Sequence, residues 1–202
     1  MSYTVDRRPG AGQDPSGLML YKEGWKDNLS AFASGKVAGA NVPAWSSLRD
    51  GLYGYEFTAT ALKEIWLNFH IGHDYAPGTD LFPHVHFVPM TDQVQGVVRW
   101  GVEYSLAKRD SEDFPATTTV YIESTIAANS QYAHIVSEVS EAGVISGAGD
   151  AIEPDAVVMC RFFRDGAHAN DTYAGSVIGI FGDLHYLSDR DSTLNRVSDF
   201  YS

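Results

Sequence analysis

The chain has 202 residues, with 14 Lys and Arg against 26 Asp and Glu, a formal charge of −12. That length suits one domain, or one domain with an appendage, and allows roughly 70% of the unfolded surface to be buried without disulfide staples. The lone Cys160 permits none within one chain, and the acidity argues against a nucleic-acid-binding surface, which needs clustered Lys and Arg.

The opening Met1-Ser-Tyr-Thr-Val-Asp-Arg-Arg-Pro-Gly10 lacks the apolar region of a secretory signal. No run approaches 18 consecutive apolar residues, so no membrane contact is expected, and a reducing cytoplasm is the expected place of synthesis and assembly. The charge is uneven. Residues 1–49 hold six basic and four acidic side chains, a net +2, and residues 50–202 hold eight and twenty-two, a net −14.

In chain order, residues 1–49 come first. Of these, 21 are Gly, Pro, Ser or Ala, and the large apolar residues follow neither a helical nor a strand period. Such a segment cannot build a core of its own. It is read as an extended arm that orders on another surface, its own body or a neighbouring subunit. Arg7, Arg8, Trp25 and Trp45 are its expected contact residues, and a short helix is allowed within 26–34 or 44–51. Residues 50–202 are the expected body. Glu64-Ile-Trp-Leu-Asn-Phe-His-Ile71 alternates Ile65, Leu67, Phe69 and Ile71 with more polar residues, the period of a half-buried strand. Val98, Trp100, Val102, Tyr104 and Leu106 repeat that pattern. The β-branched run 117–125 and the apolar run 156–163 read as two more strands. Further candidates are 52–58, 81–89, 131–138 and 174–187, separated by Gly, Pro, Asp and Asn clusters. Eight strands without a long helical period predict an all-β, jelly-roll-like β-sandwich bearing an extended N-terminal arm.

Leu81-Phe-Pro-His-Val-His-Phe-Val-Pro89 puts His84 and His86 on one face of a strand, where two imidazoles can converge on one metal ion. With Gly78 the spacing is Gly-x5-His-x-His, which resembles the first half of the cupin metal motif. The Glu that motif then requires is missing, since none occurs between His86 and Glu103. Gly182-Asp-Leu-His185 supplies part of a second half, so His84, His86 and His185 are the candidate metal ligands. The competing reading is histidines that hydrogen-bond within a sheet or at an interface.

His70-x-x-His73 is a weak ligand signal, and 165–171 carries oxygen ligands without a calcium-loop spacing. Cys160 lies in an apolar run, where a thiol is usually inert packing. No nucleophile elbow or phosphate-binding glycine loop is present. Tyr53, Tyr55 and Trp66 are candidates for a sugar-stacking platform, or for ordinary core packing.

The succession Pro83-His-Val-His-Phe87, Val98-Arg-Trp-Gly-Val-Glu-Tyr104, Asp171-Thr-Tyr-Ala-Gly175 and Gly182-Asp-Leu-His-Tyr186, over about residues 64–190, resembles small β-rich structural proteins of tailed bacteriophages, among them head decoration (cement) proteins. That resemblance implies a non-enzymatic virion subunit without cofactors, a homotrimer on the capsid exterior. Its partners would be the major capsid protein and copies of itself. The alternatives are a cupin-like metal-dependent enzyme and a tail or fibre adhesin that binds glycan.

Overall fold

The computed structural model describes residues 24–92, 95–110 and 112–189. Ten strands account for most of them: β1 (Gly24–Ala31), β2 (Ala44–Arg49), β3 (Leu52–Phe57), β4 (Leu62–His70), β5 (Leu81–Pro89), β6 (Gly96–Ala107), β7 (Thr118–Ile126), β8 (Ile135–Glu138), β9 (Val157–Asp165) and β10 (Val177–Ser188). They form two antiparallel sheets, a jelly-roll-like β-sandwich. One sheet runs β2-β3-β10-β5-β8 with β1 also on β10, and the other runs β4-β9-β6-β7.

β10 holds the larger sheet together. One edge pairs with β5 from Val177 to Tyr186, with a register shift between Gly179 and Phe181. The other edge pairs first with β3 at 177–179 and then with β1 at 181–188.

The core lies between the sheets and is built from the alternating apolar positions. Ile65, Leu67 and Phe69 of β4, Phe162 of β9 and Val98, Trp100 and Val102 of β6 line the inner face of one sheet and meet Val85 and Phe87 of β5 on the other, all almost fully buried. Trp100 is the hub, with its ring centroid 4.7 Å from Phe57, 5.7 Å from Phe87 and 6.0 Å from Phe32. Gly179 and Gly182 of β10 leave room for these rings. A Cβ on Gly179 would lie 2.3 Å from the Phe32 ring, and one on Gly182 would lie 2.7 Å from Leu67.

The division at residue 49 is not where the structure divides. Residues 24–49 lie on the body itself: β1 pairs with β10, β2 pairs with β3, and Phe32 is completely buried in the core. No helix occupies 44–51 or 26–34 beyond a single 3-10 turn at Phe32–Ser34. The segment that cannot build a core contributes one plug and two edge strands to a core built by others. Arg7 and Arg8 lie outside the described residues.

One buried ion pair stitches the loop after β9 to the sandwich. Arg164 is fully buried, and all of its bonding groups are used. It donates to both carboxylate oxygens of Asp171 at 2.8 and 2.7 Å, and to the carbonyls of Phe57, Tyr173 and Gly175 at 3.0, 2.6 and 2.8 Å. Asp171 also accepts the Arg99 backbone N–H at 3.0 Å. The oxygen-rich loop 165–171 thus spends Asp171 on a guanidinium, leaving no calcium loop.

Candidate functional site

Because strand side chains alternate, each sheet turns one face to the core and offers the other for function. The two outer faces differ completely.

On the larger sheet, the register places His84 of β5 opposite Asp183 of β10, and opposite Glu138 of β8 on its other side. His86 lies two residues along, and Asp27 of β1 is opposite His185. Four histidines and three carboxylates share this face. His84 and Asp183 are each 1% exposed, with His84 Nε2 3.3 Å from Asp183 Oδ2. His86 Nε2 is 4.0 Å from the same oxygen. His86 Nδ1 is 2.9 Å from His134 Nε2, and the buried His86 Nε2 has no hydrogen-bond partner.

His185 lies flat on His84, with ring centroids 3.9 Å apart. One of its nitrogens is 2.6 Å from Asp27 and the other is bonded to Glu138. The three expected histidines are therefore brought together, but their donor atoms fall into two overlapping sets, Asp27–His84–His185 and His84–His86–Asp183. Asp183 is the member that spacing along the chain does not reveal.

The same arrangement pulls the imidazoles apart electrostatically. Burial disfavours charge on His84, but the facing Asp183 carboxylate outweighs it and raises the pKa above the usual 6.5. His86 is lowered by burial and by its His84 and His134 neighbours.

The outer face of the smaller sheet carries a groove of about 540 Å³. Its floor is the cross-strand row Trp66–Arg161–Glu103. Arg161 is clamped between carboxylates, with Nη1 2.5 Å from Glu64 and Nη2 2.6 Å from Glu103. Glu103 in turn accepts the Thr117 hydroxyl at 2.7 Å, and Asn41 donates to Glu64 at 2.9 Å.

Beside this row lie Asn68, Lys36, Phe114 and Met159. The exposed Asn68 amide makes no hydrogen bond among the described residues. Lys36 is brought there because its backbone bridges to Trp66 in both directions, at 3.0 and 2.9 Å. Past Arg161, the guanidinium lies 4.6 Å over the Phe163 ring, Tyr121 meets Phe163 edge-on, and Arg99 covers Tyr121 at 3.5 Å. Phe163 can lie flat because Gly101 sits beneath it, where a Cβ would come within 2.1 Å of the ring.

The remaining expected residues divide between these surfaces. Trp66 lines the groove, whereas Tyr53 and Tyr55 are on β3 of the other sheet, so the three do not make one platform. Trp45 meets Tyr55 edge-on at 5.0 Å, and Trp25 meets Phe82 at 5.3 Å. His70 and His73 both contact Asp155 Oδ1 at 3.1 Å, and Arg109 donates to its other oxygen at 2.8 Å. They anchor a loop carboxylate. Cys160 is buried, and burial pushes its thiol pKa far up, which leaves it unreactive.

No protein family matches the chain, and no curated protein does. Among solved structures, TmCBM61 in complex with β-1,4-galactotriose is similar at 13% identity over 82% of this chain and 88% of that one, with a TM-score of 0.29. The Caldicellulosiruptor saccharolyticus CBM27-1 in complex with mannohexaose is similar at 12% identity over 83% and 99%, also with a TM-score of 0.29. The CBM22-1–GH10 modules of Clostridium thermocellum xylanase 10B, complexed with xylohexaose, reach a TM-score of 0.33 at 10% identity; the match covers 87% of this chain and 28% of that one.

Proposed function

We propose that the chain is a glycan-binding protein whose ligand lies in the groove on the outer face of the four-stranded sheet. The observation that carries this reading is the pairing, in one groove, of the half-buried Trp66 indole with the exposed Asn68 amide and the Arg161–Glu103 row. A sugar ring presents an apolar C–H face to an aromatic ring and hydroxyls at its rim, so it needs one flat ring and nearby donors and acceptors. Asn68 supplies both kinds of group, and a carboxylate offers about four acceptor sites, of which Glu103 uses two internally. Arg161 fixes Glu64 and Glu103 in place, so little side-chain freedom is lost on binding. The groove is preorganised.

A glycan array followed by calorimetry on its best ligand tests this reading. Trp66→Ala should abolish retention and Asn68→Ala should weaken it, with folding unchanged by circular dichroism. A best ligand that the Trp66→Ala protein holds as tightly as the parent would remove the groove from consideration.

A second reading, the particle subunit implied by the resemblance to phage structural proteins, is favoured by the large apolar groups left open on and beside the six-stranded sheet. Trp25, Leu29, Trp45, Leu52 and Tyr53 are each more than half exposed, a surface suited to burial against a copy of the chain. The two readings are compatible in an adhesin carried on a particle. The native mass of the purified full chain tests the subunit role: a trimer supports it, and a monomer at micromolar concentration counts against it.

A further inference from the structure

We propose that His84, His86 and Asp183 form a binding site for a divalent first-row transition-metal ion, on the sheet opposite the groove and independent of glycan binding. The first support is distance. An ion bound at about 2.0–2.1 Å by nitrogen and carboxylate oxygen holds tetrahedral donors roughly 3.3 Å apart. His84 Nε2 and Asp183 Oδ2 are already 3.3 Å apart, and His86 Nε2 is 4.0 Å from that oxygen. Donor atoms of all three residues lie within 4.8 Å of one another, so a small rotation of His86 completes the set.

The second support is what the other ends of these groups do. Ligating imidazoles usually donate their remaining N–H to a fixed acceptor, which sets the tautomer. His86 Nδ1 has His134 Nε2 at 2.9 Å, and His84 Nδ1 has the Phe82 carbonyl at 3.5 Å. Asp183 Oδ1 accepts the Leu184 backbone N–H at 2.7 Å, leaving Oδ2 for the site. With both Nδ1 atoms protonated, the two Nε2 lone pairs and the Asp183 oxygen point at each other. A cation at their centre would replace the proton shared between His84 Nε2 and Asp183 Oδ2 and would also engage His86 Nε2. The third support is the orphaned His86 Nε2, buried without a partner, an unsatisfied group that a bound ion would satisfy.

His185 does not complete the ligand set. It turns its ring face to His84 and uses both nitrogens on Asp27 and Glu138. It acts as a wall, and the two carboxylates behind it add negative potential that favours a cation. Two imidazoles and a carboxylate with open positions are a donor set for zinc, cobalt, nickel or ferrous ions rather than calcium or magnesium.

The test uses the full chain, stripped with chelator and then titrated with Zn²⁺ by calorimetry and with Co²⁺ by visible absorption. The expected result is one ion per chain, a raised melting temperature and a Co²⁺ spectrum of low-symmetry N/O coordination. Asp183→Asn and His86→Ala should each abolish binding, while His185→Ala should retain it. His134→Ala should weaken it roughly 10–100-fold. If Asp183→Asn fails to fold, the partly exposed His86→Ala decides. No stoichiometric binding by the folded parent overturns the proposal. So does binding that survives His86→Ala, or binding lost in His185→Ala, which would place the ion in the Asp27–His84–His185 set.

Discussion

The two sheets share one core, and their outer faces are chemical opposites. The six-stranded face gathers His84, His86, His134 and His185 with Asp27, Glu138 and Asp183, groups that bind protons or cations. The four-stranded face gathers Trp66, Phe163 and Tyr121 with Arg99 and Arg161, planar groups that stack. Neither face contributes to the core, so each is free to carry chemistry, and the strand alternation insulates one from the other. The general lesson is that a sandwich offers two functional surfaces for one cost of folding.

The largest expected effect comes from below both faces. Arg164→Met leaves the buried Asp171 carboxylate unpaired and removes five hydrogen bonds, which should cost about 3–5 kcal/mol. Chemical denaturation should show the loss, and both faces should fail together. Gly101→Ala acts on one face only. Its methyl would sit 2.1 Å from the Phe163 ring, displacing the ring and costing about 1–3 kcal/mol as overpacking does. Glycan affinity should fall with it, while metal stoichiometry should not change.

Trp66→Ala sharpens the contrast further. Affinity in the groove should drop at least tenfold, about 1.4 kcal/mol, with metal affinity unaltered when both are measured by calorimetry on one preparation.

The smallest effect concerns Asp155, which belongs to neither face. Burial alone would raise its pKa, but bonds from His73, His70 and Arg109 outweigh that and hold it below the usual 3.8. A carboxylate lowered on folding stabilises the fold above its unfolded value and ceases to do so as pH falls through the folded value. Thermal melts from about pH 6 to about pH 3 should therefore fall less steeply for Asp155→Asn than for the parent. The difference should stay under ~1 kcal/mol, as for partly exposed pairs. Identical slopes would show that the anchor carries no stability.

How much of this was legible in the sequence depends on which physical signal each element carries. Strands with one buried face declare themselves by period: Ile65, Leu67 and Phe69 mark β4, and the same period puts His84 and His86 on one side of β5. β1 carries no such signal. Lys26, Asn28 and Ser30 alternate with the outward Trp25, Asp27 and Leu29, because the strand is mostly exposed. Polar anchors replace a buried stripe: Lys26 pairs with Asp74, and Asn28 donates to the His70 carbonyl at 2.7 Å.

Asp183 was missed for a different reason. It joins His84 only through the antiparallel register of β5 and β10, a pairing across about a hundred residues with a register shift in the middle, and no local spacing encodes that. The Arg164–Asp171 pair lay hidden in what reads as an ordinary polar turn. The composition of 165–171 suits calcium as well as it suits a guanidinium, and only burial tells them apart.

The position of β10 has a consequence for how the protein is made. It is the last described strand in chain order, yet β1, β3 and β5 all hydrogen-bond to it. Until residues 177–188 have left the ribosome, the edges of those three strands that β10 will fill have no partner. Pairings that span nearly the whole chain are slow to form, and open edges in the interval invite association between nascent chains. Synthesis speed and chaperone supply, more than final stability, should therefore set the yield of native protein.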